Sequence, residues 1–152
     1  MPFVEIYLRK GKTPEYCKSI SKGVHAAMRK VFQLPEDDYF HVVHELEPNA
    51  ILHDPTFFGI ERGSDTILIR MAFNHRPPAQ KASLFEAVAG NIATSPGVRR
   101  EDVFMMIVET AAENWWAHGR SIDPESGFDI RMSAEAMQAG HVDREKHAGH
   151  VN

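Results

Sequence analysis

The sequence predicts an α/β (α+β) fold in which two copies of a β-α-β unit form one four-stranded sheet with two helices on one face. Apolar residues change from a strand-like to a helix-like period twice, in the same order. The two copies, residues 2–45 and 66–109, lie 64 residues apart, and a proline opens each predicted helix, Pro14 and Pro78. A constant offset over whole elements indicates a tandem repeat.

The first copy begins with a strand-like segment, residues 2–9, rich in Phe, Val, Ile and Tyr. Thr13 followed by Pro14 is typical of a helix start, with a cap and then a proline in the first turn. The helix is predicted over about 14–32, because apolar side chains recur at helical spacing, namely Ile20, Val24, Met28 and Val31. A second strand is predicted over residues 39–45.

The second copy has a strand over residues 66–73 and a helix that begins at Pro78. Its helical stripe contains Leu84, Val88 and Ile92. Segments 33–45 and 97–109 then overlay, which matches Leu34 with Val98, Asp38 with Asp102, Phe40 with Phe104 and Glu45 with Glu109. A helical crossover between neighbouring strands predicts that the strands within each unit are parallel.

One face of this sheet is left without helices. The strands are nevertheless apolar at nearly every position, as in ILIRMAF and VFMMIV. Sheets with parallel strands are normally covered on both faces. We therefore expect the protein to be oligomeric through the sheet.

The rest of the chain is less regular. Residues 46–65 form a connecting loop with a possible short strand near 57–61. We predict one domain over residues 1–120 and a partly flexible C-terminal extension over 121–152. Within the extension, Ser133 could cap a short helix, and the last dozen residues are expected to be mobile.

Composition limits the class of protein. The 152 residues are 43% hydrophobic and 25% charged, which is typical of one globular domain. No apolar run approaches the roughly 20 residues that span a bilayer, and the N-terminus lacks the features of a secretory signal. Cys17 is the only cysteine, and the net charge is -4 without a basic block. We expect a cytoplasmic protein that binds neither nucleic acid nor membrane.

Common cofactor motifs are not found in the sequence. There is no P-loop, dinucleotide-binding glycine motif or paired Cys and His nucleophile. His41 and His44 lie three apart on a predicted strand and so point to opposite faces. We expect no cofactor and no metal site.

Pro2 is the first candidate catalytic residue. The proline is small, so aminopeptidase is expected to remove Met1 and expose a secondary amine. An α-amino group titrates near neutral pH and can act as base or acid. Met-Pro starts also occur without function, but here the proline opens a core strand that would hold the amine rigidly at the sheet edge.

Four segments then carry a family resemblance: MPFVEIYL at the start, PEDDYF at 35–40, GIERGSD at 59–65 and Glu113-Asn114-Trp115. With these segments the sequence resembles the tautomerase superfamily, and within it the malonate semialdehyde decarboxylase group. The resemblance covers about residues 2–120. It implies homotrimers or hexamers in which an N-terminal proline acts as acid or base on small oxo acids.

The resemblance also implies roles for residues just before the second predicted strand and just after the third. Asp38 matches a catalytic aspartate, although an aspartate at both Asp38 and Asp102 could simply cap a turn. Arg76 matches an arginine that binds a substrate carboxylate. A second such position falls on Asn74, so the sequence departs from the family pattern at one carboxylate contact.

Arg70 and the tryptophans are further candidates for substrate binding. Arg70 lies in an apolar strand and needs a partner or a site, with pairing between subunits favoured. Trp115 matches an active-site tryptophan, but Trp116 departs from the family pattern and changes the expected pocket wall. Alternatively, both tryptophans cover the edge of the trimer.

Three functions follow. The first is a tautomerase acting on a small enol or oxo acid that carries a carboxylate, with neutral Pro2 as base. The second is a decarboxylase or hydratase of a 3-oxo acid such as malonate semialdehyde, with protonated Pro2 assisted by Asp38. The third is a non-catalytic trimeric binding protein that retains Met1.

Overall fold

The computed structural model of the chain describes residues 1–117 and 119–122, so the predicted helix at Ser133 and the predicted mobile tail lie outside it. The described chain forms two units, Met1–Glu109 and a second that begins at Thr110. The helices and longer strands are β1 (Phe3–Arg9), α1 (Pro14–Phe32), β2 (His41–Leu46), β3 (Ile67–Asn74), α2 (Pro78–Thr94) and β4 (Val103–Thr110). Two short strands follow, β5 (Trp116–Ala117) and β6 (Arg120–Ser121).

The four longer strands form one sheet, as the repeat predicted, and their order in it is β2-β1-β3-β4. β1 runs parallel to β2, with Val4 opposite His41. β1 runs antiparallel to β3, with Phe3 opposite Ala72. The sheet is therefore mixed, and the first strands of the two copies meet at its centre.

Both helices cover one face of the sheet. Alternate residues of the two central strands are buried on that face, namely Val4, Ile6, Leu8, Ile67, Ile69, Met71 and Phe73. The predicted helical stripes complete the core with Ile20, Val24, Met28, Leu84, Val88 and Ile92. The helices approach closely at Gly23, where a Cβ atom would lie 3.0 Å from Cγ2 of Ile92. Asn91 Nδ2 also donates to the Gly23 carbonyl at 2.9 Å.

The helix starts follow the local sequence. Thr13 caps α1, and its Oγ1 accepts the Tyr16 N–H at 3.1 Å. α1 ends at Phe32, and the next residue, Gln33, caps it with a left-handed backbone with φ of 55°. Pro78 opens α2, and Gly97 in the following turn has φ of 103°, a conformation that favours glycine. No helix among the described residues is long and apolar enough to cross a membrane.

The opposite face of the sheet carries exposed apolar side chains. Phe104 and Met106 are each 41% exposed, and they alternate with core-facing residues of β4. The prediction of a strand near 57–61 was wrong, because Phe57–Gly59 form a 3-10 turn. Phe58 there has φ of 61°, which is incompatible with an extended strand.

Candidate active site

The chain start and the turn before β2 meet at one edge of the sheet. β1 pairs with β2 from Val4 opposite His41, so the same register continued backwards places Met1 beside Asp38. The Met1 ammonium nitrogen lies 3.3 Å from Asp38 Oδ2, an ion pair. Pro2 is buried. The structure therefore brings the N-terminal amine and the predicted catalytic carboxylate together.

Asp38 and its repeat equivalent Asp102 have different environments. Asp102 is only 3% exposed and accepts the Gly63 N–H at 2.6 Å. Its carboxylate also lies 3.8 Å from Nε of Arg99. The Asp38 side chain keeps 24% of its surface exposed. Asp102 thus holds a loop, whereas Asp38 presents its carboxylate to the chain start.

The end of β3 lies at the same edge, because β3 runs antiparallel to β1. Phe3 pairs with Ala72, so the register continued places Asn74 opposite Met1, and Arg76 follows two residues later. Arg76 Nη1 donates to the carbonyls of Asn74 at 3.2 Å and His75 at 2.9 Å. A guanidinium has five N–H donors, so these contacts do not exhaust its capacity to bind a carboxylate.

Arg76 is also held by an aromatic ring and by a carboxylate. Its guanidinium lies over the Phe32 ring, 5.1 Å from the centroid. Its backbone N–H donates to Glu109 Oε1 at 3.0 Å. The end of β3 is therefore fixed to the last turn of α1 and to β4.

Several hydrogen-bond donors surround the Glu109 carboxylate. Besides the Arg76 N–H, it receives Lys81 Nζ at 3.0 Å and lies 3.2 Å from His75 Nδ1. The Arg76 N–H first, and then Lys81 and His75, lower the pKa of Glu109 to about 2. The carboxylate is therefore ionised throughout the physiological range and anchors the segment that carries Arg76.

Arg70 lies away from this edge. It faces Glu5 in the middle of the sheet and forms an ion pair with it. Glu5 also accepts the Tyr7 hydroxyl at 2.8 Å, and His44 stacks on Tyr7 with centroids 4.3 Å apart. Burial alone would raise the pKa of Glu5, but the hydrogen bonds from Arg70 and Tyr7 leave it lowered. The partner that the sequence demanded for Arg70 thus lies in the same chain, and the expected pairing between subunits is not needed.

The tryptophans belong to the second unit. There the Trp115 N–H donates to the Ala112 carbonyl at 3.2 Å, and the Trp115 carbonyl accepts the Ile122 N–H at 3.2 Å. Trp116 opens β5, pairs with Ser121 of β6 and is 73% exposed. Across the part of the chain that the structure describes, no group of three or more His, Cys, Asp or Glu side chains could hold a metal ion.

Two family models, each described as a tautomerase enzyme, match residues 2–59 and 38–116. The chain belongs to the tautomerase family. The probable tautomerase YusQ of Bacillus subtilis (strain 168) is 35% identical over 123 residues, covering 80% of this chain and 97% of the relative. The probable tautomerase YrdN of the same organism is 23% identical over 115 residues, covering 76% and 89%.

Several solved structures share the fold. A malonate semialdehyde decarboxylase superposes with a TM-score of 0.71 at 24% identity, covering 76% of this chain and 89% of the neighbour. A fused 4-OT symmetric trimer superposes with a TM-score of 0.65 at 18% identity, covering 78% and 94%. The resemblance to this superfamily that the sequence predicted is confirmed.

Sequence reasoning about this tautomerase-family chain did not identify Glu109 as part of the candidate site. The signal was present, since Glu109 occupies the place of Glu45 at the end of the repeat. Periodicity assigned it to a strand end but could not show that Arg76 and Lys81 fold back onto it. Only the packing of β4 beside β3 brings these residues together.

Proposed function

We propose that this protein is an isomerase that tautomerises a small enol or oxo acid, with the secondary amine of Pro2 as general base and acid after removal of Met1. The observation that most supports a mechanism at the N-terminal amine is the 3.3 Å approach of the Met1 amine to Asp38 Oδ2. Removal of Met1 moves the amine by one residue, at most about 3.6 Å along the chain. The new amine would therefore lie at the edge that also carries Asp38, Asn74 and Arg76.

Each group has a role in this proposal. Neutral Pro2 takes a proton from one atom of the substrate and returns it to a neighbouring carbon. Arg76 binds the substrate carboxylate and stabilises the negative charge of the enolate. Asp38 orients the amine and favours its protonated form, which is needed for the return of the proton.

The proposal assigns further substrate contacts to Asn74 and, as the resemblance implies, to Trp115 and Trp116. Asn74 occupies a position at the amine edge and offers both donors and an acceptor. The proposed role of Arg70 in substrate binding stays a prediction. Within one chain, Arg70 forms an ion pair with Glu5 on the face of the sheet without helices.

We also propose that the protein is a homo-oligomer, most simply a trimer. The face of the sheet without helices carries exposed Phe104 and Met106. Burying such apolar side chains between subunits is favourable, at about 25 cal/mol for each Å² removed from water. The fused 4-OT structures that share the fold are described as trimers.

A decarboxylase or hydratase is the second candidate, and the position of Asp38 favours it. A carboxylate beside the amine stabilises the protonated amine, which polarises a carbonyl oxygen during loss of carbon dioxide or addition of water. The fold is also shared with malonate semialdehyde decarboxylase. The two candidates require opposite protonation states of Pro2.

The test begins with mass spectrometry of protein made without an N-terminal tag, where we expect Met1 to be absent. Pro2→Ala should then lose most of the activity towards phenylenolpyruvate. A chain with an N-terminal extension, which keeps Pro2 as an amide, should lose it as well. An intact Met1 would contradict the mechanism and favour a non-catalytic binding protein. Full activity in both variants would also contradict it, because a group other than the Pro2 amine would then catalyse the reaction.

The pH dependence separates the two enzyme candidates. A tautomerase loses activity as the pH falls through the titration midpoint of the amine, because the base becomes protonated. A decarboxylase loses activity as the pH rises through it. Phenylenolpyruvate and malonate semialdehyde are the two substrates to compare. Arg76→Ala should raise KM for either, and Arg100→Ala, which alters an exposed arginine paired with Glu86, is the matched control.

A further inference from the structure

We propose that Ser21 and His25 of α1 are positioning residues that fix the Asp38 carboxylate relative to the N-terminal amine. This inference rests on the proposed function, since it concerns the same site. Asp38 lies in residues 33–40, which form neither helix nor strand between α1 and β2. Its backbone N–H makes one long hydrogen bond, to the Pro35 carbonyl at 3.3 Å. Further contacts are therefore needed to fix the position of Asp38.

Side chains of α1 attach this segment on both sides of Asp38. On one side, His25 Nε2 lies 3.0 Å from the Glu36 carbonyl. On the other side, the Tyr39 hydroxyl forms a hydrogen bond with Ser21 Oγ. Ser21 and His25 are four residues apart on a helix, so they share one face and can act together.

Ring packing reinforces the attachment. The Tyr39 ring meets His25 edge to face with centroids 4.7 Å apart and lies 4.3 Å from the His41 ring. His41 Nδ1 lies 3.0 Å from the same Ser21 Oγ. We call these four residues, Ser21, His25, Tyr39 and His41, the α1 anchor. One serine hydroxyl therefore links Tyr39, next to Asp38, with the first residue of β2.

The second repeat is built without such an anchor. At the equivalent positions it carries Phe85, Ala89, Val103 and Met105. Its aspartate, Asp102, is instead buried and bonded to Gly63. Polar anchoring thus accompanies the copy whose aspartate faces the chain start.

The anchor also carries an energetic cost. His25 Nδ1 and His41 Nε2 are buried and have no hydrogen-bond partner among the described residues. Burial first, and then His25, lower the pKa of His41 to about 4. Apolar side chains at these positions would avoid the desolvation of polar groups. Retaining polar groups despite this cost is typical of functional sites.

The test compares variants that weaken the anchor in the processed protein. Ser21→Ala removes the shared oxygen, Tyr39→Phe removes only the hydroxyl, and His25→Ala removes the bond to Glu36. His25→Gln keeps a donor for the Glu36 carbonyl and should restore most of the function. Ser19→Ala is the matched control, because it removes a hydrogen bond of the same helix, to Ser95 Oγ at 2.7 Å.

The readouts are kcat and the titration midpoint of the Pro2 nitrogen. Both pH–rate profiles and NMR measure this midpoint. We expect Asp38→Asn to move the midpoint to lower pH, because the carboxylate favours the protonated amine. Ser21→Ala and His25→Ala should move it in the same direction and lower kcat by about tenfold, since small displacements of a reacting group are costly. Ser19→Ala should move neither.

Two results would overturn the inference. In one, the anchor variants lower only the free energy of unfolding, and the midpoint stays at the wild-type value. In the other, Asp38→Asn itself leaves the midpoint unchanged. Failure of the proposed function is a different observation, namely activity retained by Pro2→Ala.

Discussion

Lowering the pH from about 8 to about 5 is expected to destabilise the protein through His41. His41 is the first residue of β2, and its ring faces Ser21 and His25 of α1 as well as Tyr39. Burial in this cluster disfavours the charged ring, and the neighbouring His25 adds to the effect, so the pKa of His41 falls from 6.5 to about 4. The folded protein therefore keeps His41 neutral at pH values where the unfolded chain binds a proton.

The size of the effect follows from this difference. Between the two pKa values the unfolded state binds more protons than the folded state. The contribution of neutral His41 to the free energy of unfolding is therefore fully present above about pH 6.5 and is lost as the pH falls towards 4. Taking pKa values of about 6.5 unfolded and about 4 folded, the loss is about 2 kcal/mol at pH 5 and about 3 kcal/mol at pH 4. Losses of this size are a large fraction of the free energy of unfolding of a typical domain.

The assay is urea unfolding of the wild type and of His41→Gln at several pH values and one protein concentration, because an oligomer's stability depends on concentration. Glutamine does not titrate, and its amide can still bond Ser21. At pH 8 the variant reports the loss of packing alone. The difference in free energy of unfolding between the wild type and His41→Gln should then be smaller at pH 5 than at pH 8 by about 2 kcal/mol. A difference that stays constant from pH 8 to pH 5 would refute the reasoning.

Three further predictions concern the site and the core. Glu109→Gln should raise KM severalfold with little change in kcat, because the segment that carries Arg76 loses its anchor; steady-state kinetics checks this, and a selective fall in kcat would contradict it. Thr13→Ala should lower the free energy of unfolding by about 1 kcal/mol, because the Tyr16 N–H loses its cap. Leu84→Ala should lower it by about 2–5 kcal/mol, because the fully buried side chain leaves a cavity. Chemical denaturation measures both losses, and a larger loss for Thr13→Ala than for Leu84→Ala would contradict their assignments.

Local sequence patterns predicted most of the fold. α1 begins at Pro14 and ends at Phe32 as expected, because a capping threonine, a first-turn proline and a helical apolar stripe all act within a few residues. The segment 57–61 was less predictable. Phe57, Phe58 and Ile60 are apolar enough for a strand, but the left-handed backbone at Phe58 depends on the loop around it.

The candidate site was predictable only in part. The repeat and the family resemblance drew attention to Pro2, Asp38 and Arg76. They could not decide whether Asp38 does more than cap a turn, because Asp102 occupies the same place in the other repeat. The tertiary structure shows that their surroundings differ, since Asp38 lies beside the chain start and Asp102 is buried against Gly63.

By itself, the sequence determined the duplicated β-α-β unit and the place of Pro2 at the start of the first strand, because short-range periodicity and capping specify single elements. The tertiary structure alone decided the partners of charged groups. Arg70 forms an ion pair with Glu5, and the Arg76 backbone N–H donates to Glu109. The segment around Asp38 is attached to α1. These contacts join residues far apart in the chain, and strand register and helix packing bring them together.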